Sequence, residues 1–285
     1  MRFEKWQALG NDYVIVEADE LSFRPRPAAV RALLRRHTGI DADGLLVLYR
    51  DEDPHVVARL EIYNPDGSRA ELSGNGARQA IMYLRTRGWT ERDHFDLRTD
   101  AGILRPTITG PDSCTVDMGR ATLSSADFPT GDNDGQGEVQ SAGRSWAFQH
   151  VSIGNPQCSI FVAGPGELAD LDLAAVGPAI EASELFPNRS NVSWYSELGD
   201  DRIRARIFER GVGETLSSGT GATGAAIAHL VRTGRRSGTV SVDLDGGTLT
   251  VTVADDLRVD LAGWARPVYA ATLSPELEKE INEAQ

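Results

Sequence analysis

The sequence predicts an α+β fold built from two pseudo-symmetric halves. Short apolar runs of strand type outnumber helical ones. The few helical stretches begin behind glycine-rich turns or prolines. A shift of 145 residues lays Ile62-Tyr63-Asn64 over Ile207-Phe208-Glu209, and Ser73-Gly74-Asn75-Gly76-Ala77 over Ser218-Gly219-Thr220-Gly221-Ala222. A second echo, Gly10-Asn11 with Gly154-Asn155, has a shift of 144. Shared order and near-equal offsets imply a duplication, with equivalent points facing each other across a ligand cleft.

Taken in order, alternating or short apolar runs mark strands at residues 13–16, 45–49, 56–63, 149–153, 159–162, 192–195, 203–208, 240–244, 249–253 and 257–261. Helical periodicity covers 28–36, just after Pro27, then 77–87 and 222–231, which stop at Gly88 and Gly234. A last helix starts at Pro275. Residues 123–144 are rich in Ser, Asp and Gly, lack apolar periodicity, and are expected to form a linker or long loop. The expected halves are residues 1–122 with 264–285, and residues 123–263.

Composition narrows the chemistry. The 285 residues are 40% hydrophobic and 25% charged, ample for a globular core. A net charge of −13 disfavours nucleic acid and anionic membranes as partners. The lysines are Lys5 and Lys279, near the two ends, whereas a pyridoxal phosphate Schiff base needs a lysine at a buried central site. A cofactor of that type is therefore not expected. Cys114 and Cys158 form no CxxC pair, and His37, His55, His94, His150 and His229 have no metal-ligand spacing, so no metal is expected either. The N-terminus carries acidic residues and no long apolar run, which with the missing disulfide framework suggests a cytoplasmic protein.

The repeated Ser-Gly-x-Gly-Ala segments each open a helix. A helix start has unpaired N–H groups and the positive end of the dipole, so each repeat offers an anion site, and its glycines let a ligand approach the backbone. A serine before a helix is commonly only an N-cap. Two copies with polar residues matched upstream, Asn64 and Glu209, make a paired ligand site the alternative to weigh against it. Gly219-Thr-Gly221-Ala-Thr-Gly224 also spells GxGxxG, but the preceding strand ends near Phe208, too early for a dinucleotide fingerprint, and the sister repeat lacks the third glycine.

Gly10-Asn11-Asp12-Tyr13-Val14, Ala42-Asp43-Gly44, Asn64-Pro65-Asp66-Gly67-Ser68, Ser73-Gly74-Asn75-Gly76-Ala77-Arg78, Gly154-Asn155-Pro156, Asn191-Val192, Glu209-Arg210-Gly211 with Gly213-Glu214-Thr215, and Ser218-Gly219-Thr220-Gly221 occur in order along nearly the whole chain. Together they resemble the diaminopimelate epimerase family. The resemblance implies two mirror-related domains, each a sheet wrapped around a central helix, with the substrate cleft between them. It also implies cofactor-independent interconversion of LL- and meso-diaminopimelate in lysine and peptidoglycan synthesis, usually by a homodimer. Carried onto this chain, Asn11, Asn64, Asn155, Asn191 and Arg210 would grip the distal amino-acid end of the substrate. The backbone of Gly74-Asn75 and Gly219-Thr220 would hold the reacting carboxylate, with Glu209 beside the catalytic pair. Any one asparagine alone reads as a turn residue making local hydrogen bonds.

In the family the positions of Ser73 and Ser218 hold cysteines, the acid and the base. A thiol suits that work because its pKa of ~8.5 falls readily at a helix start. A serine needs a positioned base of its own. The family histidine after Gly-Asn-Pro is here Gln157, followed by Cys158, and a further family cysteine is Gln79. Laboratory Cys→Ser changes would explain the serines but not Gln157. The open readings are a two-base epimerase using Ser73, Ser218 and Glu209, and a homologue that binds an amino acid without catalysis. A third is turnover to a related isomerisation or dehydration, as in the proline racemases, hydroxyproline dehydratases and phenazine-pathway isomerases.

Overall fold

The computed structural model describes residues 1–71 and 73–284. The chain folds as two compact units, Met1–Val116 with Gly263–Gln285, and Asp117–Ala262. The first unit opens with β1 (Arg2–Ala8), β2 (Asn11–Glu17), α1 (Pro27–Leu34), β3 (Leu45–Tyr49), β4 (Val56–Tyr63), β5 (Arg69–Ala70) and α2 (Gly74–Thr86). It continues through β6 (Asp96–Thr99), β7 (Gly102–Leu104), β8 (Thr107–Ile108) and the start of β9 (Ser113–Arg120). The second unit holds β10 (Gln136–Ser141), β11 (Arg144–Ser152), β12 (Pro156–Phe161), α3 (Pro165–Asp170), α4 (Leu173–Glu181), β13 (Asn191–Gly199), β14 (Arg202–Glu209) and β15 (Gly213–Thr215). After α5 (Gly219–Arg232), β16 (Gly238–Leu244), β17 (Gly247–Val253) and β18 (Arg258–Trp264), the chain returns to the first unit as β19 (Arg266–Thr272) and α6 (Pro275–Glu283).

The duplication is visible in strand pairing. The first unit runs β19-β1-β2-β3-β4-β6-β7 with β5 added to β4; the second contains the run β10-β11-β12-β13-β14-β16-β17-β18 with β15 added to β14. From β1 to β7 the pairings are antiparallel, parallel, antiparallel, parallel, antiparallel. From β11 to β17 the same sequence recurs. The parallel pairs need crossovers, and the second of them in each unit is bridged by the glycine-led helix, α2 or α5.

Each of these helices is wrapped by its own sheet. Helix α2 packs on β1, β2, β3 and β19, and is buried from Asn75 to Leu84. Helix α5 packs on β11, β12, β13, β14, β16 and β17. Its small residues permit that enclosure: a Cβ added to Gly221 would lie 2.8 Å from Ile207 Cδ1, and one added to Gly224 would lie 2.8 Å from Gln157 Cβ. The third glycine of GxGxxG is thus room for a glutamine. Further cores lie outside these helices, with α1 and α6 over Val14, Leu45 and Val47 in one unit and α4 over Trp194 and Phe208 in the other.

Several expectations need correction. Helices α2 and α5 begin three residues earlier than periodicity indicates, because Ser73 and Ser218 are the N-caps and the glycines form the first turn. Helix α1 stops at Leu34, since Arg35 has extended backbone (ψ 130°). Residues 123–144 are not all loop: Gln136–Ser141 pairs antiparallel with β11, and only Val139 and Ser141 of that strand are buried. Helix α4 escapes notice in the sequence because Gly177 and Pro178 interrupt it; Asp172 caps it, and the missing side chain at Gly177 admits the Phe208 ring. Strand β1 pairs with both β2 and β19, with a bulge between Lys5 and Trp6 that breaks its alternation. Among the described residues no helix is long and apolar enough to cross a membrane.

Candidate active site

In the first unit Ser73 sits at φ −132°, ψ 122° and caps α2, its Oγ accepting from Gly76 N–H at 3.1 Å. A second donor reaches the same oxygen: the hydroxyl of Tyr13, on β2, at 3.1 Å. Asn75 lies in the first turn, buried, with its side-chain oxygen accepting from the Arg78 guanidinium. That guanidinium is wholly buried, and its Nε and Nη1 have no partner among the described residues. Burial without a carboxylate lowers its pKa to about 10. Gly74 is the first helical residue, so its backbone N–H belongs to the unpaired set that an anion can use.

Asn11 opens β2 and Asn64 follows β4 in the same unit. The Asn11 amide donates to Asp43 at 2.8 Å, Asp12 N–H donates to the same oxygen at 2.9 Å, and buried Gln79 donates to Asn11 O at 2.9 Å. Burial raises the Asp43 carboxyl above its ordinary value; the Asp12 N–H opposes that, and the Asp12 charge reinforces it. Asn64 opens a turn closed by Gly67, which has φ +85° and packs on the Pro27 backbone, and the Asn64 amide donates to Ser68 Oγ at 3.0 Å. Asn64 therefore makes the local bond of a turn residue, whereas the Asn11 amide reaches across 32 residues to Asp43 and is no local turn contact.

In the second unit Ser218, at φ −141°, ψ 125°, caps α5 through Gly221 N–H at 3.3 Å. Its own hydroxyl donates to Glu209 Oε2 at 3.3 Å, and Thr215 donates to Glu209 Oε1 at 2.8 Å. The β14–β15 turn makes this contact, pairing Glu209 with Gly213 and folding Thr215 back onto the carboxylate. Asn155 donates to Thr220 Oγ1 at 3.3 Å, and Gln157 donates to Asn155 Oδ1 at 2.7 Å. Asn191, beside Gln157 in the β12–β13 register, accepts Arg210 N–H at 2.9 Å, while the Arg210 side chain, exposed, donates to Asn188 O at 2.8 Å.

The second unit thus gathers Ser218, Glu209, Thr220, Asn155, Asn191 and Arg210 around one helix start and the adjoining strand ends. The first gathers Ser73, Gly74 and Asn75, with Asn11 tied to α2 through Gln79. The sequence reading passes over Tyr13 and Thr215 as participants; both stand inside the motifs quoted above, but only the fold shows that their hydroxyls meet Ser73 and Glu209. Neither thiol stands at a helix start: Cys114 is on β9 and Cys158 on β12. Burial pushes Cys114 up to about 12 and Cys158 well above its ordinary value, so neither supplies a thiolate near neutrality. Among the described residues no cluster of three His, Cys, Asp or Glu could hold a metal ion.

Arranged this way, each helix start can hold an anionic group on backbone N–H donors with a serine hydroxyl alongside. A serine–carboxylate pair can accept a proton, with the carboxylate as final holder.

The family model described as diaminopimelate epimerase matches residues 3–124 and 149–263. The diaminopimelate epimerase of Desulforudis audaxviator is 37% identical over 286 residues, covering 97% of each chain. That of Synechococcus sp. strain JA-3-3Ab is 35% identical over 283 residues, covering 95% of this chain and 98% of its own. Among solved structures, a phenazine biosynthesis protein of the PhzF family from Bacillus anthracis superposes with a TM-score of 0.70 at 18% identity, covering 96% of this chain and 99% of that one. A hydroxyproline epimerase from Agrobacterium vitis superposes with a TM-score of 0.67 at 16% identity, covering 98% and 94%. The last two likenesses concern the fold alone. The motif set, the duplicated topology and the full-length identity agree: the chain belongs to the diaminopimelate epimerase family.

Proposed function

We propose that this protein interconverts LL- and meso-diaminopimelate by taking the α-proton from one face of the carbon and returning a proton to the other, without an organic cofactor, in lysine and peptidoglycan synthesis. The observation that carries the reading is the Ser218–Glu209 contact at the start of α5: a hydroxyl otherwise too weak to act as a base has a carboxylate to receive its proton. Ser73 is the opposing group. Asn11, Asn64, Asn155, Asn191 and Arg210 recognise the distal amino-acid end, and the backbone of Gly74-Asn75 and Gly219-Thr220 holds the reacting carboxylate. The test is transfer of deuterium from heavy water to the α-carbon of either isomer.

A second reading, binding of an amino acid without turnover, is favoured by Gln157, whose amide is spent on Asn155, and by thiols that are both buried. Calorimetric affinity for diaminopimelate with no deuterium transfer is its signature.

The working form we propose is a homodimer joined through β19. This strand ends its sheet and exposes Val268 (54%) and Tyr269 (42%), an open edge of the kind that pairs with a second copy. Sedimentation is expected to give a dimer that Val268→Lys with Tyr269→Lys converts to monomer; a monomeric parent contradicts the assignment.

A further inference from the structure

We propose that Tyr13 is a proton relay behind Ser73, so that the two helix starts are chemically unequal: Tyr13–Ser73 supplies the proton and Ser218–Glu209 removes it. The inference rests on the epimerase reading and deepens it.

The two serines have nearly the same backbone angles, and each Oγ accepts one N–H from its own helix. They differ in the third group. Ser73 Oγ accepts a second hydrogen, from Tyr13, at 3.1 Å. A hydroxyl oxygen has two acceptor sites and one hydrogen, so Ser73, with both acceptor sites taken, is left to act as a donor. Ser218 instead gives its hydrogen to Glu209, which leaves an acceptor site on Ser218 Oγ. One end is thus set to give a proton and the other to take one.

Tyr13 is held for this role. Its ring is buried, 5% exposed, in a slot that requires a glycine: a Cβ on Gly44 would lie 2.3 Å from Tyr13 Cε1. The repeat sharpens the asymmetry. The 144-residue shift that pairs Asn11 with Asn155 pairs Tyr13 on β2 with Gln157 on β12. The 145-residue shift pairs Asn64 with Glu209. Each half therefore has one ionisable group and one amide at these positions, in opposite places: a phenol and Asn64 in the first, Gln157 and a carboxylate in the second.

The proton inventory closes. Ser218 Oγ takes the α-proton as its own proton passes to Glu209 Oε2, and the C–H electron pair stays on the carbon. Ser73 gives its proton to that carbon, forming the new C–H bond, while the Tyr13 phenolic proton moves to Ser73 Oγ. The inverted substrate leaves neutral Glu209 and a Tyr13 phenolate; the other isomer reacts from that state by the same steps in reverse, and exchange with water interconverts the two states. Tyr13 acts through Ser73 and is a positioning residue. A phenol, with an ordinary pKa of ~10, is a far stronger acid than a serine hydroxyl, which is what the relay adds.

The test is Tyr13→Phe, which keeps the ring in the Gly44 slot and removes only the hydroxyl. Inversion is expected to fall by about 10²- to 10⁴-fold, the usual worth of a positioned acid. Calorimetric affinity for diaminopimelate and the melting temperature should hold. The isomer whose α-proton meets Ser218 should still take up deuterium without inverting, because Ser218 and Glu209 return the proton to the same face. Parental inversion rates in Tyr13→Phe overturn the relay and leave the epimerase reading standing. Equal loss of exchange for both isomers together with weakened binding assigns Tyr13 a packing role and also overturns it. A parent that exchanges neither isomer overturns the epimerase reading and the relay with it.

Discussion

Replacing both capping serines with thiols, Ser73→Cys with Ser218→Cys, is expected to raise α-proton exchange by about 10²-fold or more. Each sulfur would stand where the serine oxygen stands, receiving a helix N–H from Gly76 or Gly221. A thiol with an ordinary pKa of ~8.5 is already a few per cent ionised near neutrality, and a helix start lowers that pKa further. The two sites should not respond alike. At position 218 the Glu209 carboxylate disfavours a second negative charge, whereas at position 73 the Tyr13 hydroxyl donates to it. Alkylation followed by mass spectrometry should therefore label position 73 first at neutral pH. An unchanged exchange rate in a folded double variant would show that the scaffold no longer brings these positions to a substrate.

Glu209→Gln is expected to lower exchange by about 10²- to 10⁴-fold while leaving the fold intact. The carboxylate now accepts from Ser218 on one oxygen and from Thr215 on the other. An amide accepts on one side only, so one of the two hydroxyls would have to turn and accept from its NH2, and it cannot take up a proton at all near neutrality. The cap on α5 runs through Gly221 N–H to Ser218 Oγ and does not involve residue 209, so stability should change little. Thr215→Val separates the two effects: it removes a bond that orients the carboxylate but keeps the charge, and should cost less than Glu209→Gln. Rates equal to the parent in Glu209→Gln would remove Glu209 from the mechanism.

How much of this was legible in the sequence depended on whether the signal was local. Strands with a periodic or continuous apolar run stand out: Val56–Tyr63, which alternates at its start, and Leu45–Tyr49, a short buried run, have the bounds that their apolar residues suggest. The Ser-Gly-x-Gly helix starts are equally local. Strand β10 is hidden because Val139 is its one buried apolar residue, and β19 because Pro267 and five leading exposed residues give it no inward face. At the site, the spacing of Asn64 and Glu209 from their serines is readable, but Tyr13 reaches Ser73 across 60 residues of sequence through a slot that Gly44 leaves open. The buried Arg78 is likewise invisible to composition. Its place is set by α2 lying inside its sheet, where the guanidinium meets the Asn75 side chain and no acid. The same enclosure explains the glycines of α5, which a motif search takes for a phosphate loop and which the fold uses to admit Gln157 and Ile207.

The central claim is that serines at the two helix starts move the α-proton. Its most direct measurement is mass and NMR analysis of LL- and meso-diaminopimelate incubated with the unaltered protein in heavy water. Deuterium at the α-carbon of both isomers, with conversion of each into the other, is the predicted result, and Ser73→Ala or Ser218→Ala should remove it. Measurable binding with no deuterium in either isomer would contradict the claim and make the protein an amino-acid-binding member of its family.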